Sequence, residues 1–70
     1  MKSQEIRNLT TQDIRTRLND AREELMRLRF QQAMGGLTDF TRLRYTRRNI
    51  ARFMTILNER ERSERQEGEE

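Results

Sequence analysis

The chain has 70 residues, of which 39% are charged and 31% hydrophobic, and its formal net charge is +3 at pH 7. The absence of cysteine and histidine excludes disulfides, catalysis by those two residues, and the usual zinc sites. Seventy residues form one small domain at most, and so few apolar side chains leave its core marginal. A partner that binds only the folded state would supply additional stability.

The first predicted element, helix one, covers about residues 10–34 and follows a short N-terminal arm. Thr10 stands at the N-cap and Asp13 follows three residues later, which is a variant of the capping box. Leu9 and Ile14 occupy the positions of a hydrophobic staple. Apolar residues then recur in steps of four and three, which indicates a helix that packs along one seam. The residues of this seam are Ile14, Leu18, Ala21, Leu25 and Leu28.

The chain contains no proline, and its one predicted break is a turn over residues 35–39. Gly35 is expected to take the left-handed conformation that ends a helix. Thr38 or Asp39 can cap the helix that follows. Because so short a turn joins two long helices, we expect them to be antiparallel neighbours.

Helix two is predicted over about residues 40–62. Its apolar steps of three and four match those of helix one, which favours packing between the two seams. In antiparallel order Ile14 lies near Leu57, and Leu28 lies near Leu43. The seam of helix two consists of Leu43, Thr46, Ile50, Phe53 and Leu57.

The predicted fold class is therefore all-α: an antiparallel two-helix hairpin with a coiled-coil-like seam, a short N-terminal arm and a disordered acidic tail. The hairpin domain covers residues 1–62. The tail covers residues 63–70, which include no apolar side chain to bury. Strands are not expected, because no segment alternates with a period of two.

Helix two also carries a row of arginines. Arg44, Arg48 and Arg52 are four residues apart on the side away from the seam, and Arg47 flanks the seam. Residues 35–58 hold five arginines against one aspartate, so the row has no acids to neutralise it. Guanidinium groups suit bidentate contact with phosphate. The row predicts an RNA-binding surface, and the alternative is a solvated basic face.

Helix one has two further patterns outside its seam. Arginines seven residues apart could bind phosphate or pair with the acids of helix two, and the sequence does not decide between these. They are Arg15, Arg22 and Arg29. Apolar residues four apart form either a local cap under the turn or an exposed patch that docks another protein, where methionine packs adaptably. They are Met26, Phe30 and Met34.

No motif of catalysis or cofactor binding is present. The sequence has no phosphate-binding loop, no dinucleotide fingerprint and no calcium loop. Carboxylates on a helical hairpin have no cleft in which their pKa could be tuned for catalysis. We expect no enzyme, no cofactor, no metal and no small-molecule substrate. With no secretory segment or membrane span in the sequence, we expect a cytosolic (cytoplasmic) or organelle-encoded protein.

The segment LRFQQAMGGLTDFTRLRYTRRNIARFMTILNERE resembles the large-subunit ribosomal protein family numbered twenty-nine. The family pattern is a short M-K-x-x-E-[IL]-R start, a capped helix, L-R-F/M-Q, a glycine near the turn, and R-R-x-I-A-R-x-x-T-x-L-N-E. The matching residues are Met1-Lys2, Glu5-Ile6-Arg7, Leu28-Arg29-Phe30-Gln31, Gly35, Arg47-Arg48-Asn49-Ile50-Ala51-Arg52, Thr55 and Leu57-Asn58-Glu59. The family often has Asn-Pro where this chain has Asp39-Phe40, which keeps the cap but loses the proline.

The resemblance implies a hairpin bound to large-subunit ribosomal RNA beside the polypeptide exit tunnel. It also implies a neighbouring ribosomal protein numbered twenty-three, at the place where nascent-chain factors dock. Together with the arginine row it predicts an RNA-binding set of Lys2, Arg7, Arg44, Arg47, Arg48 and Arg52. The predicted protein-partner residues are Met26, Phe30 and Met34. No role transfers to the acidic tail.

The leading functional hypothesis is a structural RNA-binding protein of the large ribosomal subunit. It would act by neutralising phosphates and fitting the shape of folded RNA. The alternative is a coiled-coil protein–protein adaptor, or a homodimer that closes its seam on another copy. RNA binding would collapse at high salt, whereas association through the seam would not. A third possibility, the detached coiled-coil arm of a synthetase-like enzyme, is disfavoured by the caps of both helices.

Overall fold

The computed structural model describes residues 1–37 and 39–68, and it describes side chains through Arg65. Three helices follow in chain order: α1 (Ser3–Arg7), α2 (Thr11–Ala33) and α3 (Thr41–Gly68). They form a rod of 54 × 19 × 15 Å. No strand occurs in the described part of the chain, which agrees with the predicted all-α class. None of the helices in that part combines the length and the apolar character that a bilayer crossing requires.

α2 begins where the sequence predicts because Thr10 caps it. The Thr10 Oγ1 atom accepts a hydrogen bond of 3.1 Å from the backbone N–H of Asp13. The first bond within the helix joins Ile14 N to Thr10 O at 3.0 Å. The helix then turns its predicted seam inward, so that the seam residues are buried or half-buried. They are Ile14, Leu18, Ala21, Leu25 and Leu28.

Gly35 ends α2 in the left-handed conformation, with a φ of +77°. Its N–H donates to Gln32 O at 3.1 Å, and the N–H of Gly36 donates to Gln31 O at 2.8 Å. These two bonds are those of a Schellman motif, which satisfies the carbonyl groups left over at a helix end. The predicted role of Gly35 is therefore confirmed.

Asp39 caps α3. Its Oδ1 atom accepts a hydrogen bond of 2.9 Å from the backbone N–H of Thr41. This backbone bond is the main cause that lowers the pKa of Asp39 below the usual aspartate value. The first bond of the helix joins Arg44 N to Phe40 O at 3.1 Å. Thr38, the other predicted cap, lies outside the described residues.

Side-chain contacts at both ends of the rod show that α2 and α3 are antiparallel. Near the turn, Glu24 of α2 forms an ion pair with Arg42 at the start of α3. At the open end, the Arg60 Nη1 atom donates to Thr11 Oγ1 at 3.0 Å. Residues late in one helix thus meet residues early in the other, as a hairpin requires.

The core lies in the half of the rod away from the turn, where α1 joins the hairpin. Its buried residues are Ile6, Ile14, Leu18, Phe53 and Ile56, against which Met1, Leu9, Ala21, Ile50 and Leu57 pack. Ile14 and Leu57 therefore belong to one cluster, as the antiparallel order predicts. Leu28 and Leu43 are buried separately, nearer the turn. Thr46, between them and the main cluster along α3, is only 1% exposed.

Two core residues were not predicted, Ile6 at 0% exposure and Ile56 at 2%. Both follow from the N-terminal arm, which is a helix that packs against α3. So short a helix is not stable alone, and burial of Ile6 holds it in place. Because α3 contacts two helices, it buries a strip wider than one seam. Ile56 is inside that strip, and the predicted Leu57 is half-buried at its edge.

α3 also continues further than predicted. Helix two was expected to end near Arg62, but α3 reaches Gly68. Arg65 pairs with Glu61 at 2.9 Å, one turn earlier, and such i,i+4 pairs support a helix without any core. The expected disorder of the tail is therefore corrected for residues 63–68. Residues 69 and 70 lie outside the described residues.

Candidate nucleic-acid interface

Three arginines project from the exposed surface of α3 and are here called the outer arginines: Arg44 and Arg48 opposite the core, and Arg47 at its flank. All three are exposed. At about 100° per residue they span roughly 100° of the helix surface. Among residues whose side chains are described, none of the three forms an ion pair. Arg44 helps to lower the pKa of Asp39, but it is the smallest of the causes. The outer arginines are therefore available to an external anion.

Arg52 differs from the outer arginines, although the sequence groups it with them. Its Nη1 atom donates a hydrogen bond of 2.7 Å to the backbone oxygen of Met1. The α-ammonium group of Met1 in turn donates to Asn49 Oδ1 at 3.0 Å and to the Tyr45 hydroxyl at 3.2 Å. Arg52 thus lies where the N-terminal segment crosses α3. The sequence places Arg52 on the side away from the seam with Arg44 and Arg48, but the N-terminal segment lies against that edge of α3.

Lys2 and Arg7, the remaining RNA-binding candidates, are both exposed on the α1 side. Lys2 is next to Met1, and therefore close to Arg52. Arg7 pairs with Glu59 at 3.4 Å, and the two side chains are 56% and 50% exposed. Position 59 is eleven residues beyond Arg48, or about 16 Å along the helix. The structure therefore brings Lys2 to the predicted surface, while Arg7 stands apart from it.

Arg60 is an arginine with a structural role that the sequence analysis did not single out. Its guanidinium group donates to Arg7 O at 3.0 Å, Leu9 O at 2.8 Å and Thr11 Oγ1 at 3.0 Å. These acceptors are at the end of α1 and the start of α2, so Arg60 joins all three helices. The available signal was its spacing, since Phe53, Ile56 and Arg60 follow in steps of three and four on the buried side.

The arginines of α2 border an open groove between α2 and α3, with a volume of about 500 Å³. Arg15 and Arg22 line one wall, and Met54 and Asn58 line the other. No residue of α1 lines it, because α1 lies on the other side of the hairpin. The predicted alternative for these arginines was pairing with acids of α3. Among the described side chains, Arg15, Arg22 and Arg29 form no such pair.

The apolar patch, Met26, Phe30 and Met34, is exposed by 72%, 67% and 73% respectively. These are the highest values among the exposed large hydrophobic side chains described. The interpretation of these residues as a cap under the turn is therefore wrong. They remain as a surface of α2, next to Glu23, Arg27 and Gln31.

The sequence pattern of the ribosomal L29 protein family matches residues 4–60. The chain belongs to the ribosomal L29 protein family. The matched range includes all of α1 except Ser3, both caps, the turn and the outer arginines. This confirms the resemblance that the sequence motifs indicated.

Individual members of the L29 family agree over most of their length. The large ribosomal subunit protein uL29 of Roseiflexus castenholzii is 54% identical over 61 residues, which cover 87% of this chain and 92% of the relative. The uL29 protein of Thermosipho africanus is 48% identical, with the same coverage. That of Halalkalibacterium halodurans is 52% identical, covering 87% of this chain and 91% of the relative.

Membership of the L29 family has direct consequences for function. The chain is a structural component of the large ribosomal subunit and not an enzyme. It shares the ribosomal, cytoplasmic location of its bacterial-type relatives.

Proposed function

We propose that this L29-family chain binds large-subunit ribosomal RNA through the outer arginines of α3. The observation that carries the proposal is their exposure without an ion pair among the described side chains. A guanidinium group offers five N–H donors in a fork that matches phosphate oxygens. Neutralising phosphates releases condensed counterions, which supplies much of the binding free energy.

The rigidity of α3 supports this kind of contact. Its 28 residues make a rod of about 42 Å, and Arg44 and Arg48 are about 6 Å apart along it. A rod of this kind reads the shape and the backbone of folded RNA, with little readout of bases. Lys2 and Arg52 extend the proposed surface toward α1. Arg7 is proposed as a separate contact near the open end.

Within the large subunit, the proposed RNA site is beside the polypeptide exit tunnel, with the ribosomal protein numbered twenty-three as neighbour. Family membership supports this placement, because the resemblance implies it. The apolar patch on α2 would then be the surface that docks this neighbouring protein. Its support is the exposure of three large apolar side chains on one helix face, which favours burial by a partner. Nascent-chain factors at the tunnel exit are the alternative partners.

The competing hypothesis, an adaptor or homodimer that closes its seam on another chain, loses its structural basis. The seam of α2 already packs against α3 of the same chain, and Ile14 and Phe53 share one buried cluster. A second copy has no open seam to occupy without opening the hairpin.

The test is the binding of the full chain to large-subunit RNA at two salt concentrations. We expect Arg48→Gln to weaken binding on many RNA sequences and to flatten the log–log salt slope by a little under ~1 unit. Helicity and unfolding temperature should stay at the parental values, because Arg48 is exposed.

The matched control is Arg27→Gln, which removes the same charge from an exposed position on α2. Its salt slope should equal that of the parent. If Arg48→Gln, alone and combined with Arg44→Gln, binds as the control does, the outer arginines are a solvated face and the proposal fails.

A further inference from the structure

We infer that a second arginine edge, formed by Arg22 and Arg29 of α2 and Arg47 of α3, holds the same RNA across the groove between the helices. This inference rests on the proposed function and deepens it, since it adds α2 to a contact so far assigned to α3. The RNA-binding surface would then consist of arginines on both α2 and α3, instead of the arginines of α3 alone.

The geometry of the groove places these three arginines together. Arg22 lines one wall of the groove and Met54 lines the other. Arg29 is seven residues after Arg22, and Arg47 is seven residues before Met54. Two helical turns take 7.2 residues, so each step of seven keeps to the same edge of its helix. Since α2 and α3 are antiparallel, both steps lead toward the turn. Arg29 and Arg47 therefore lie on opposite sides of the line along which the groove continues toward the turn, beyond the residues that line the groove itself.

The acids of the hairpin lie elsewhere, as far as side chains are described. Glu61 and Glu64 line the groove at its other end, near the start of α2. Glu24 faces the α1 side, where it pairs with Arg42. Asp39 is at the start of α3 beside Arg42 and Tyr45. Among the described side chains, the charged ones along this continuation of the groove toward the turn are thus arginines alone.

Two further acids of α2 also lie away from this continuation of the groove. Asp20 borders a depression on the α1 side, together with Met1 and Arg17. Glu23 lies beside Met26 and Phe30 of the apolar patch. Neither carboxylate can neutralise the arginine edge without leaving its own face of the helix.

A polyanion fits this arrangement better than an isolated anion does. The axes of two packed helices are about 8–10 Å apart, so the arginines on the two walls form two lines of charge and not one point. An RNA strand along the groove would meet guanidinium groups on both sides. The outer arginines continue the same positive surface, because Arg47 belongs to both sets. The partner favoured by charge is therefore the phosphate backbone of the RNA that α3 contacts.

The experiment compares single variants of α2 that differ only in position. Arg22→Gln and Arg29→Gln remove cations from the groove edge, and Arg27→Gln removes one from the opposite side of the same helix. All three positions are exposed, and each change lowers the net charge by one. We expect the first two variants, in the full chain, to weaken binding to large-subunit RNA. Each should flatten the log–log salt slope by a little under ~1 unit relative to Arg27→Gln.

Two results separate this inference from the proposed function. If Arg22→Gln and Arg29→Gln behave as Arg27→Gln does while Arg48→Gln weakens binding, the second edge is wrong and the α3 surface stands. If Arg48→Gln also matches the control, both proposals fail. Arg22→Lys should restore the salt slope if the contact is with phosphate, and a slope that stays flat would contradict that assignment. Circular dichroism of each variant confirms that the hairpin is folded.

Discussion

The two sides of α3 use the same residue type for opposite purposes. On the side facing α1, Arg60 and Arg52 donate to backbone oxygens of the N-terminal segment. On the far side, the outer arginines have no such acceptors among the described residues. The difference lies in the neighbours of each guanidinium group: Arg60 is beside a carbonyl group at the end of α1, which needs a donor, and Arg52 is beside the backbone oxygen of Met1. A count of arginines therefore does not measure a binding surface, since part of the count holds the fold together.

The largest expected effect is on the free energy of unfolding, when a buried and an exposed phenylalanine are each replaced by alanine. Phe53 is 3% exposed, whereas Phe30 is 67% exposed. We expect Phe53→Ala to lower the free energy of unfolding by ~3–5 kcal/mol, which is enough to unfold much of so small a domain. Phe30→Ala should change it little. Urea unfolding followed by circular dichroism measures both, and equal losses would show that α2 and α3 share no core.

The next effect contrasts arginines on the two sides directly. Arg60→Gln leaves the carbonyl oxygens of Arg7 and Leu9 short of donors, so we expect a loss of ~1–3 kcal/mol in unfolding free energy. Amide hydrogen exchange should rise first in α1. Arg48→Gln should leave unfolding unchanged and reduce RNA binding. If the two variants exchanged these phenotypes, the division between a packed and a binding side would be wrong.

A smaller effect concerns the turn, where two neighbouring glycines have different conformations. Gly35 has a φ of +77°, and of the two only Gly35 is in the left-handed region. We expect Gly35→Ala to lower the unfolding free energy by ~1–2 kcal/mol, the cost of a side chain in that region. Gly36→Ala should cost less, because its added Cβ would meet only Gln31 O, at 3.8 Å. Thermal unfolding of the two variants tests this prediction, and equal losses of stability would contradict a specific role for Gly35.

The smallest effect is the pH dependence of the α3 cap. Hydrogen bonds from Thr41 lower the pKa of Asp39 in the folded chain. The cap therefore stabilises the hairpin above the pKa of an unfolded aspartate and loses that contribution as pH falls through the lowered value. Asp39→Asn keeps an acceptor without titrating, so its unfolding temperature should fall less between pH 5 and pH 2. If both proteins show the same pH profile, the charge of Asp39 does not contribute.

Local signals in the sequence were sufficient for the hairpin. Thr10, Gly35 and Asp39 act on backbone groups one to four residues away, so their roles follow from short motifs. The a/d spacing then identified the two seams. The contribution of α1 could not be predicted in this way, because a helix of five residues has no stability of its own. Its burial of Ile6 depends on a surface that exists only after α3 has formed.

The candidate site, like the fold, could be predicted only as far as helical spacing determines it. The four-residue spacing correctly placed Arg44 and Arg48 away from the core. It failed for Arg52, because the contact with Met1 joins residues 51 positions apart in the sequence. Spacing alone also did not decide whether Met26 and Phe30 are exposed, because a larger turn between the helices would have covered them. Pattern determines which residues share a helix face, and the path of the chain determines what lies against that face.

The extension of α3 past the hairpin gives the rod an electric polarity. Cations gather on the half near the turn, while residues 59–70 hold six glutamates and three arginines. Arg60 contacts the start of α2, so Glu61 and Glu64, which follow it on α3, lie at the end of the rod opposite the turn. A polyanion attracts one end of such a rod and repels the other, which applies a torque before any contact forms. The chain would therefore meet the RNA turn-first, and a salt-sensitive association rate follows from its shape as much as from its net charge.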